Sequence, residues 1–363
     1  MILLLTKLLL EILLAFLLGT IVFDFVHYFF HYCLKSKSYY LRMLGALHKS
    51  HHLFFSPALK IEDKWAQQNI LHHVIIEYLV QVGVILSCAA FLDIHAVIIA
   101  ALLQTMIFAI VCVREGRDPH HKPYDRLPAS RGGMWVSAEY HAMHHAYPTG
   151  YFSSYIKVLD YVFGTGHHLK GKHIAMTGSS GALGSAMKKL LEKEGAQVTT
   201  FKYGVDYDYD NYEKLRAPLS ETDILFLCHG TKYDNTEAAN CESYLKIIEV
   251  FRTARKPGLL PCEIWGTGSE IECHPCFGIK KLYPYATSKR HYARYARLMF
   301  QDKNIQYRHL VHSAFISSMG PGLMTANFAA WMTLFLIKRD FKYVPVSYTG
   351  FAWLNYLRFY FVV

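Results

Sequence analysis

Eight histidines in two recurring spacings constrain this chain more than any other feature. His27-x-x-x-His31, His48-x-x-His51-His52 and His141-x-x-His144-His145 fall within a stretch otherwise rich in apolar residues. A membrane segment carries histidine at a desolvation cost unless the side chains bind something or line a polar cavity. On a helix, the i,i+4 spacing puts His27 and His31 on one face. The His-x-x-His-His spacing projects three rings to one side, with the adjacent pair splayed. One zinc ion takes no more than about four protein ligands, so eight imidazoles argue for a binuclear site. Imidazole suits iron, copper, nickel and zinc.

The apolar runs around the clusters predict membrane spans. Residues 2–23 are almost wholly apolar, broken by Lys7 and Glu11, which stand i,i+4 and can pair. About 20 such residues cross a bilayer. No basic patch opens the chain and no small-residue cleavage site precedes Asp24, so a retained span is expected rather than a signal peptide. Residues 34–64 are basic, with Lys35, Lys37, Arg42, Lys49, Lys60 and Lys64. Two apolar stretches follow, 69–92 and 94–113, and their link holds Asp93 without Lys or Arg. Residues 114–131 are basic again. The positive-inside rule turns both basic segments to the cytoplasm and makes the two stretches a hairpin. The second and third histidine clusters then share one membrane side, with the first at the end of the first span.

Composition agrees: 52% hydrophobic residues, 18% charged, and a formal net charge of +10. The positive charge fits basic loops at a membrane; no Lys/Arg stripe or recognised motif points to nucleic acid. The eight cysteines are scattered, as in a reducing compartment, and Cys273-His274-Pro275-Cys276 is a lone C-x-x-C.

The character changes at 165–172, a polar, glycine-containing linker. Beyond it, short apolar runs at 173–177, 197–201, 223–228, 262–266 and 307–312 alternate with helical patterns, which predicts a parallel α/β sheet. The expected fold is an α-helical integral membrane domain of three or more spans, over 1–168. An α/β Rossmann-like, doubly wound domain over 172–340 follows. Residues 341–363 are an apolar aromatic tail, lying in the membrane interface or packing on the domain.

Within the second domain, Thr177-Gly178-Ser179-Ser180-Gly181-Ala182-Leu183-Gly184 follows a strand and opens a helix. Such glycines permit a tight turn and close approach of a pyrophosphate to the helix N-terminus. Gly178, Ser179, Gly181 and Gly184 are therefore candidate nucleotide-binding residues. The second strand ends at Phe201-Lys202-Tyr203 without the acidic residue that holds a ribose hydroxyl. Lys202 can instead meet a 2′-phosphate, favouring NADP(H) over NAD(H). Tyr285 and Lys289 stand i,i+4, so the ammonium can lower the phenol pKa and suit it to proton exchange with a carbonyl or alcohol.

The histidine pattern resembles the membrane fatty acid hydroxylase/sterol desaturase superfamily over about 10–168. Leu159-Asp160-Tyr161-Val162-Phe163-Gly164-Thr165 is similar to that family's closing W-D-x-x-F-G-T, with Leu159 where Trp is usual. Gly150-Tyr151-Phe152-Ser153 replaces its Asn-Tyr-Gly. His121-Lys122-Pro123-Tyr124-Asp125 is similar to its H-x-G-Y-D segment and adds His121 to the candidate ligands. The resemblance implies a non-haem centre of two iron ions held by His27, His31, His48, His51, His52, His121, His141, His144 and His145. It further implies O₂-dependent hydroxylation or desaturation of a lipid. Asp24, Asp125 and Glu139 are candidates to orient the ligands. His72 and His73 lie just inside the second span without a third partner.

Over about 172–325 the chain resembles the short-chain dehydrogenase/reductase family. Cys228-His229-Gly230 stands for its Asn-Ala-Gly, Asn240 for its helix asparagine, and Ser269 or Thr267 for its catalytic hydroxyl. Gly320-Pro321-Gly322 with Thr325 resembles its P-G-x-x-T segment. The implied catalytic set is Tyr285, Lys289, Ser269 and Asn240.

Together these readings predict a bifunctional membrane enzyme. Its first half oxidises a lipid C–H bond, and its second interconverts alcohol and carbonyl. Electrons would come from an external ferredoxin- or cytochrome-type donor. Both sites would face the cytoplasm from a bacterial inner membrane or the endoplasmic reticulum. Two alternatives stand beside this. The arrangement also resembles the wax-type proteins that turn aldehydes into alkanes, and a non-enzymatic reading makes it a metal-binding membrane protein with a nucleotide-sensing domain.

Overall fold

Thirty-three consecutive residues, Ile2–Leu34, form one helix (α1). At about 1.5 Å per residue it is roughly 50 Å long, well beyond the ~30 Å hydrocarbon core of a bilayer. The turns bearing His27 and His31 thus have length to emerge from the core. The computed structural model describes residues 1–361; residues 362–363 of the expected tail lie outside it. It divides into two units, residues 1–127 with 133–168, and residues 128–132 with 169–363.

In the first unit α1 is followed by Tyr39–Phe54 (α2), Asp63–Ala90 (α3) and Ile94–Val113 (α4). Among the described residues α1, α3 and α4 are long and apolar enough to cross a membrane. Close packing between helices depends on small residues. A Cβ on Gly45 of α2 would lie 2.7 Å from the Phe30 carbonyl oxygen of α1, and one on Gly19 of α1 would lie 3.0 Å from that of Gln81 in α3. The Gly45 approach sets the second histidine cluster beside the first. The third lies on Ala138–Ala146 (α5), whose first turn is capped by Ser137 Oγ accepting from Tyr140 N. A short helix, Val158–Phe163 (α6), ends on Gly164 in the left-handed conformation, φ 65°.

The second unit is a six-stranded, wholly parallel sheet. Its strands are β1 (His173–Thr177), β2 (Gln197–Phe201), β3 (Ile224–Leu227), β4 (Cys262–Thr267), β5 (Ile305–His312) and β6 (Tyr343–Val346), in the order β2-β1-β3-β4-β5-β6. Ala182–Lys193 (α7), Ser243–Ala254 (α8), Tyr283–Gln301 (α9), Ala326–Ile337 (α10) and Phe351–Phe361 (α11) cover it. Two apolar clusters, one containing Leu225 and Phe251 and the other Phe226 and Leu334, form the core. This is the expected Rossmann-like, doubly wound architecture. The strand order reverses between β1 and β3, and ligands of such sheets bind at that point.

The tail is not a separate segment. Residues 343–346 pair with β5 as its edge strand, and Ala352 and Phe359 of α11 are buried in the core. Of the two expectations for 341–363, packing on the domain is what the described residues do. The run Tyr343-Val344-Pro345-Val346 is too short for periodicity to declare it a strand, and Pro345 is tolerated because β6 is an edge.

Candidate functional site

The three histidine clusters and His121 converge in the first unit. His27, His31, His48, His52 and His144 form one group, and His51, His121, His141 and His145 another; within each group the nearest ring nitrogens all lie within 4.8 Å of one another. All are buried except His52, which is half-buried. Burial holds the imidazoles of His48, His51, His52, His141 and His145 well below the ordinary histidine pKa, and that of His144 down to about 4. The rings are therefore neutral, as metal binding requires.

Tethers on the other ring nitrogen explain the orientation. Nδ1 of His27 donates to Phe152 O (3.2 Å), Nδ1 of His144 to Gly150 O (2.8 Å) and Nδ1 of His145 to Phe55 O (2.7 Å). Nδ1 of His121 donates to Asp118 Oδ2 (2.7 Å), and Nδ1 of His51 to Asn69 Oδ1 (3.1 Å). A neutral imidazole with its proton on Nδ1 has only a lone pair on Nε2. The Nε2 atoms face inward: His51 and His121, both tethered, lie 3.2 Å apart, His141 lies 3.0 Å from His121 and 3.2 Å from His145, and His31 lies 3.2 Å from His27. Nε2 of His144 is buried without a hydrogen-bond partner. Facing lone pairs repel unless a cation lies among them. Adjacent nitrogens about 2.1 Å from one ion are roughly 3 Å apart, which is the spacing found. The residues therefore fit a pair of metal ions.

Asp160 supports this arrangement from behind. Its carboxylate accepts from Phe152 N (3.0 Å), Ser153 N (2.9 Å), Tyr140 OH (2.8 Å) and Thr165 Oγ1 (2.5 Å). It thereby ties α5 to the loop whose carbonyl holds His27.

The three carboxylates expected to orient the ligands do not touch them. Asp24 accepts from Ser154, Asp125 is exposed and pairs with Lys60, and Glu139 accepts from Tyr124 OH. Asp118, Asn69 and backbone carbonyls take that role. Sequence reasoning missed Asp118 although it stands i,i+3 before His121. Burial opposes its ionisation, but the neighbouring His121 holds it below the usual carboxylate range. His73 is also part of the structure around the clusters, its Nδ1 lying 3.1 Å from Nδ1 of His48. It sits on a π turn, Ile70–Val74, inside α3; such turns commonly mark functional positions. His72 is not in either group.

A cavity of about 260 Å³ adjoins the clusters. Val74, Ile107, Phe108 and Val111 line it from α3 and α4, and His51 and His141 from the histidine side.

In the second unit the glycine turn lies at the reversal between β1 and β3. Gly178 has φ +70°, and a Cβ there would lie 2.5 Å from His229 N; one on Gly184 would lie 2.1 Å from Gly178 O. Gly181 immediately precedes α7, and Ser179 is half-buried in the turn. Thr177 Oγ1 lies 2.7 Å from Nδ1 of His229, so the Cys228-His229-Gly230 segment is bonded to the turn it follows in space. Lys202 is exposed one residue beyond β2, its backbone N–H donating to Asp206 Oδ2 (2.7 Å).

Four further residues meet beside this turn. Lys289 Nζ donates to Thr267 O (2.8 Å), and burial lowers its pKa to about 8. Asn240, on a π turn before α8, donates to Ser288 Oγ (3.1 Å) and Thr231 O (2.7 Å). Of the two candidate hydroxyls, Ser269 is the one hydrogen-bonded to Tyr285. Ser269 is itself fixed by a capping box with Glu272, and Glu272 is bonded to His309 Nε2 (2.7 Å). Burial raises the Tyr285 phenol pKa, with Ser269 opposing.

Residues 16–165 match the sequence model of the fatty acid hydroxylase family. A monoglucosyldiacylglycerol epimerase of Synechocystis sp. (strain ATCC 27184 / PCC 6803 / Kazusa) is 27% identical over 287 residues, covering 68% of this chain and 69% of that protein. That coverage exceeds what either unit alone contains, so the similarity extends into both. Among solved structures, a short-chain dehydrogenase from Burkholderia cenocepacia J2315 in complex with NADP matches 53% of this chain and 94% of its own, at 13% identity and TM-score 0.44. A short-chain dehydrogenase/reductase from Serratia marcescens BCRC 10948 matches 51% of this chain and 100% of its own, at 18% identity and TM-score 0.44.

Proposed function

We propose that this chain, a membrane lipid oxidoreductase joining a fatty acid hydroxylase-like domain to a short-chain-dehydrogenase-like fold, carries out two oxidations on a membrane lipid. The carrying observation is the two groups of histidines, all but His52 buried, with Nε2 atoms turned on each other. They would hold two ions, iron by family resemblance: five ligands from His27, His31, His48, His52 and His144, four from His51, His121, His141 and His145. Such a centre supplies O₂ activation and attack on an unactivated C–H bond. The chain's own residues keep the imidazoles neutral, fix their tautomers through Asp118, Asn69 and carbonyls, and exclude water by burial. An acyl chain would reach the centre through the cavity beside Val74 and Val111. Hydroxylation consumes O₂, two protons and two electrons, and a ferredoxin- or cytochrome-type donor would supply the electrons. Both sites would face the cytoplasm.

The second unit would interconvert alcohol and carbonyl. Its glycine turn would hold the pyrophosphate of the nucleotide, with Lys202 favouring NADP(H). The alcohol's hydride would pass to the oxidised nucleotide and its hydroxyl proton to Tyr285, with Ser269 holding the oxygen and Lys289 and Asn240 positioning the groups around it.

A second reading is favoured by the epimerase relative. Inversion at a headgroup carbinol carbon needs hydride and proton removed and then returned to the opposite face, with no net oxidation. Tyr285 and a retained nucleotide would suffice for that.

Lipid extracts from cells making the wild type, His141→Ala or Tyr285→Phe, compared by chromatography and mass spectrometry, separate the readings. Hydroxylation followed by oxidation of the alcohol to a carbonyl predicts a gain of about 14 mass units in the wild type, a gain of about 16 in Tyr285→Phe and no gain in His141→Ala. An O₂-independent product of unchanged mass that requires only Tyr285 would replace the first reading with the second, and lipids identical in all three strains would overturn both.

A further inference from the structure

Next to the Ser269–Glu272 capping box, the second unit gathers positive charge that its described carboxylates leave largely unanswered. Arg290, Arg294 and Arg297 stand at i, i+4 and i+7 of α9, on one helix face. With Arg358 and Asn355 of α11 they line a cavity of about 620 Å³. Among the described residues none of these four guanidiniums has an ion pair. Arg290 donates to the carbonyls of Ile271 (3.4 Å) and His274 (2.7 Å), which hold it in place without cancelling its charge. Nε of Arg297 is buried without a partner. Among the described residues the one carboxylate in the lining, Glu272, is engaged by His309 and by Ser269 N.

Four like charges around one cavity repel each other unless an anion joins them. Guanidinium forks match the several acceptor oxygens of a phosphate. The surroundings narrow the source of that phosphate. Phe277 and Ile279, on the loop lining one side, are 67% and 54% exposed, and Leu354 and Leu357, beside Arg358 on α11, are 70% and 58% exposed. Free phosphate or a soluble nucleotide gives such side chains no reason to stand in water. A headgroup at a bilayer surface does, since apolar side chains around it can enter the interface while basic residues meet anionic lipid. The same chain carries three helices suited to crossing a membrane.

We propose that this face of the second unit binds the phosphate headgroup of an anionic phospholipid, docking the unit on the membrane surface. The proposal does not rest on the metal centre or on the dehydrogenase reading.

The test uses the full-length protein in phosphatidylcholine nanodiscs doped with photoactivatable phosphatidylglycerol, with cross-links mapped by peptide mass spectrometry. Cross-links are expected on peptides containing 277–279 and 351–358. They should fall at least five-fold in the Arg294→Gln/Arg358→Gln variant and remain in Arg252→Gln, an exposed arginine of α8. Unlabelled phosphatidylglycerol should compete and inorganic phosphate should not. Equal labelling by a photoactivatable phosphatidylcholine, equal competition by inorganic phosphate, or unchanged labelling in the double variant would each overturn the proposal.

Discussion

Nε2 of His51 and Nε2 of His121 lie 3.2 Å apart, and neither ring has a proton to offer the other. Each has committed its Nδ1 proton, to Asn69 and to Asp118. Two lone pairs held at that distance by buried neighbours need a cation between them. Purified protein is therefore expected to retain two metal ions per chain by elemental analysis. Asp118→Asn should leave the fold intact and weaken retention against a chelator by about 10–100-fold, the usual effect of removing a ligand's hydrogen-bond partner.

The cavity beside the clusters offers a test that spares the ligands. Val111 lines it from α4 and holds no metal. Val111→Trp should fill the space, abolish conversion of lipid and leave the metal content at the wild-type value. Unchanged lipid conversion would show that the substrate approaches elsewhere.

Gly184 has no room for a side chain, since its Cβ would lie 2.1 Å from Gly178 O. Gly184→Ala must displace the turn that would carry the pyrophosphate. Nucleotide affinity, measured by calorimetry, should fall at least about ten-fold, or about 1.4 kcal/mol, while metal content stays unchanged.

Lys202 is exposed beyond β2, where a 2′-phosphate would lie. Lys202→Ala should weaken NADP(H) binding several-fold and leave NAD(H) unaffected. Equal losses for both nucleotides would show that this residue does not read the phosphate.

Burial lowers Lys289 to about 8 from 10.5. Below pH 8 the lysine is protonated in both folded and unfolded chains, and the full cost of burying the ammonium is present. Between about 8 and 10.5 the unfolded chain binds more protons, so stability contributed by this site rises with pH. Lys289→Met should remove that rise and raise the thermal midpoint near pH 7, because it relieves a burial cost of up to about 3 kcal/mol. It should also abolish nucleotide-linked turnover.

Much of this was legible in the amino-acid sequence, for identifiable reasons. Histidine spacing and apolar run lengths are local properties, so the clusters on α1, α2 and α5 and the three spanning helices could be read directly. The strand–glycine–helix order around Gly178 is equally local, as is the i,i+4 relation of Tyr285 to Lys289. The partners of the histidines were not legible in that way. Asp118 is near His121 in the chain, but Asn69 is 18 residues from His51, Phe55 is 90 from His145 and Phe152 is 125 from His27. Carbonyl acceptors have no residue signature at all. The same holds for β6, an apolar run that becomes a strand only because β5 presents an unpaired edge, and for the acceptor of the Lys289 ammonium, the Thr267 carbonyl. Composition and spacing alone thus determined which residues belong together and in what kind of element. Tertiary packing decided which atom of each faces which neighbour, because hydrogen-bond direction, tautomer and burial exist only once distant segments are in contact.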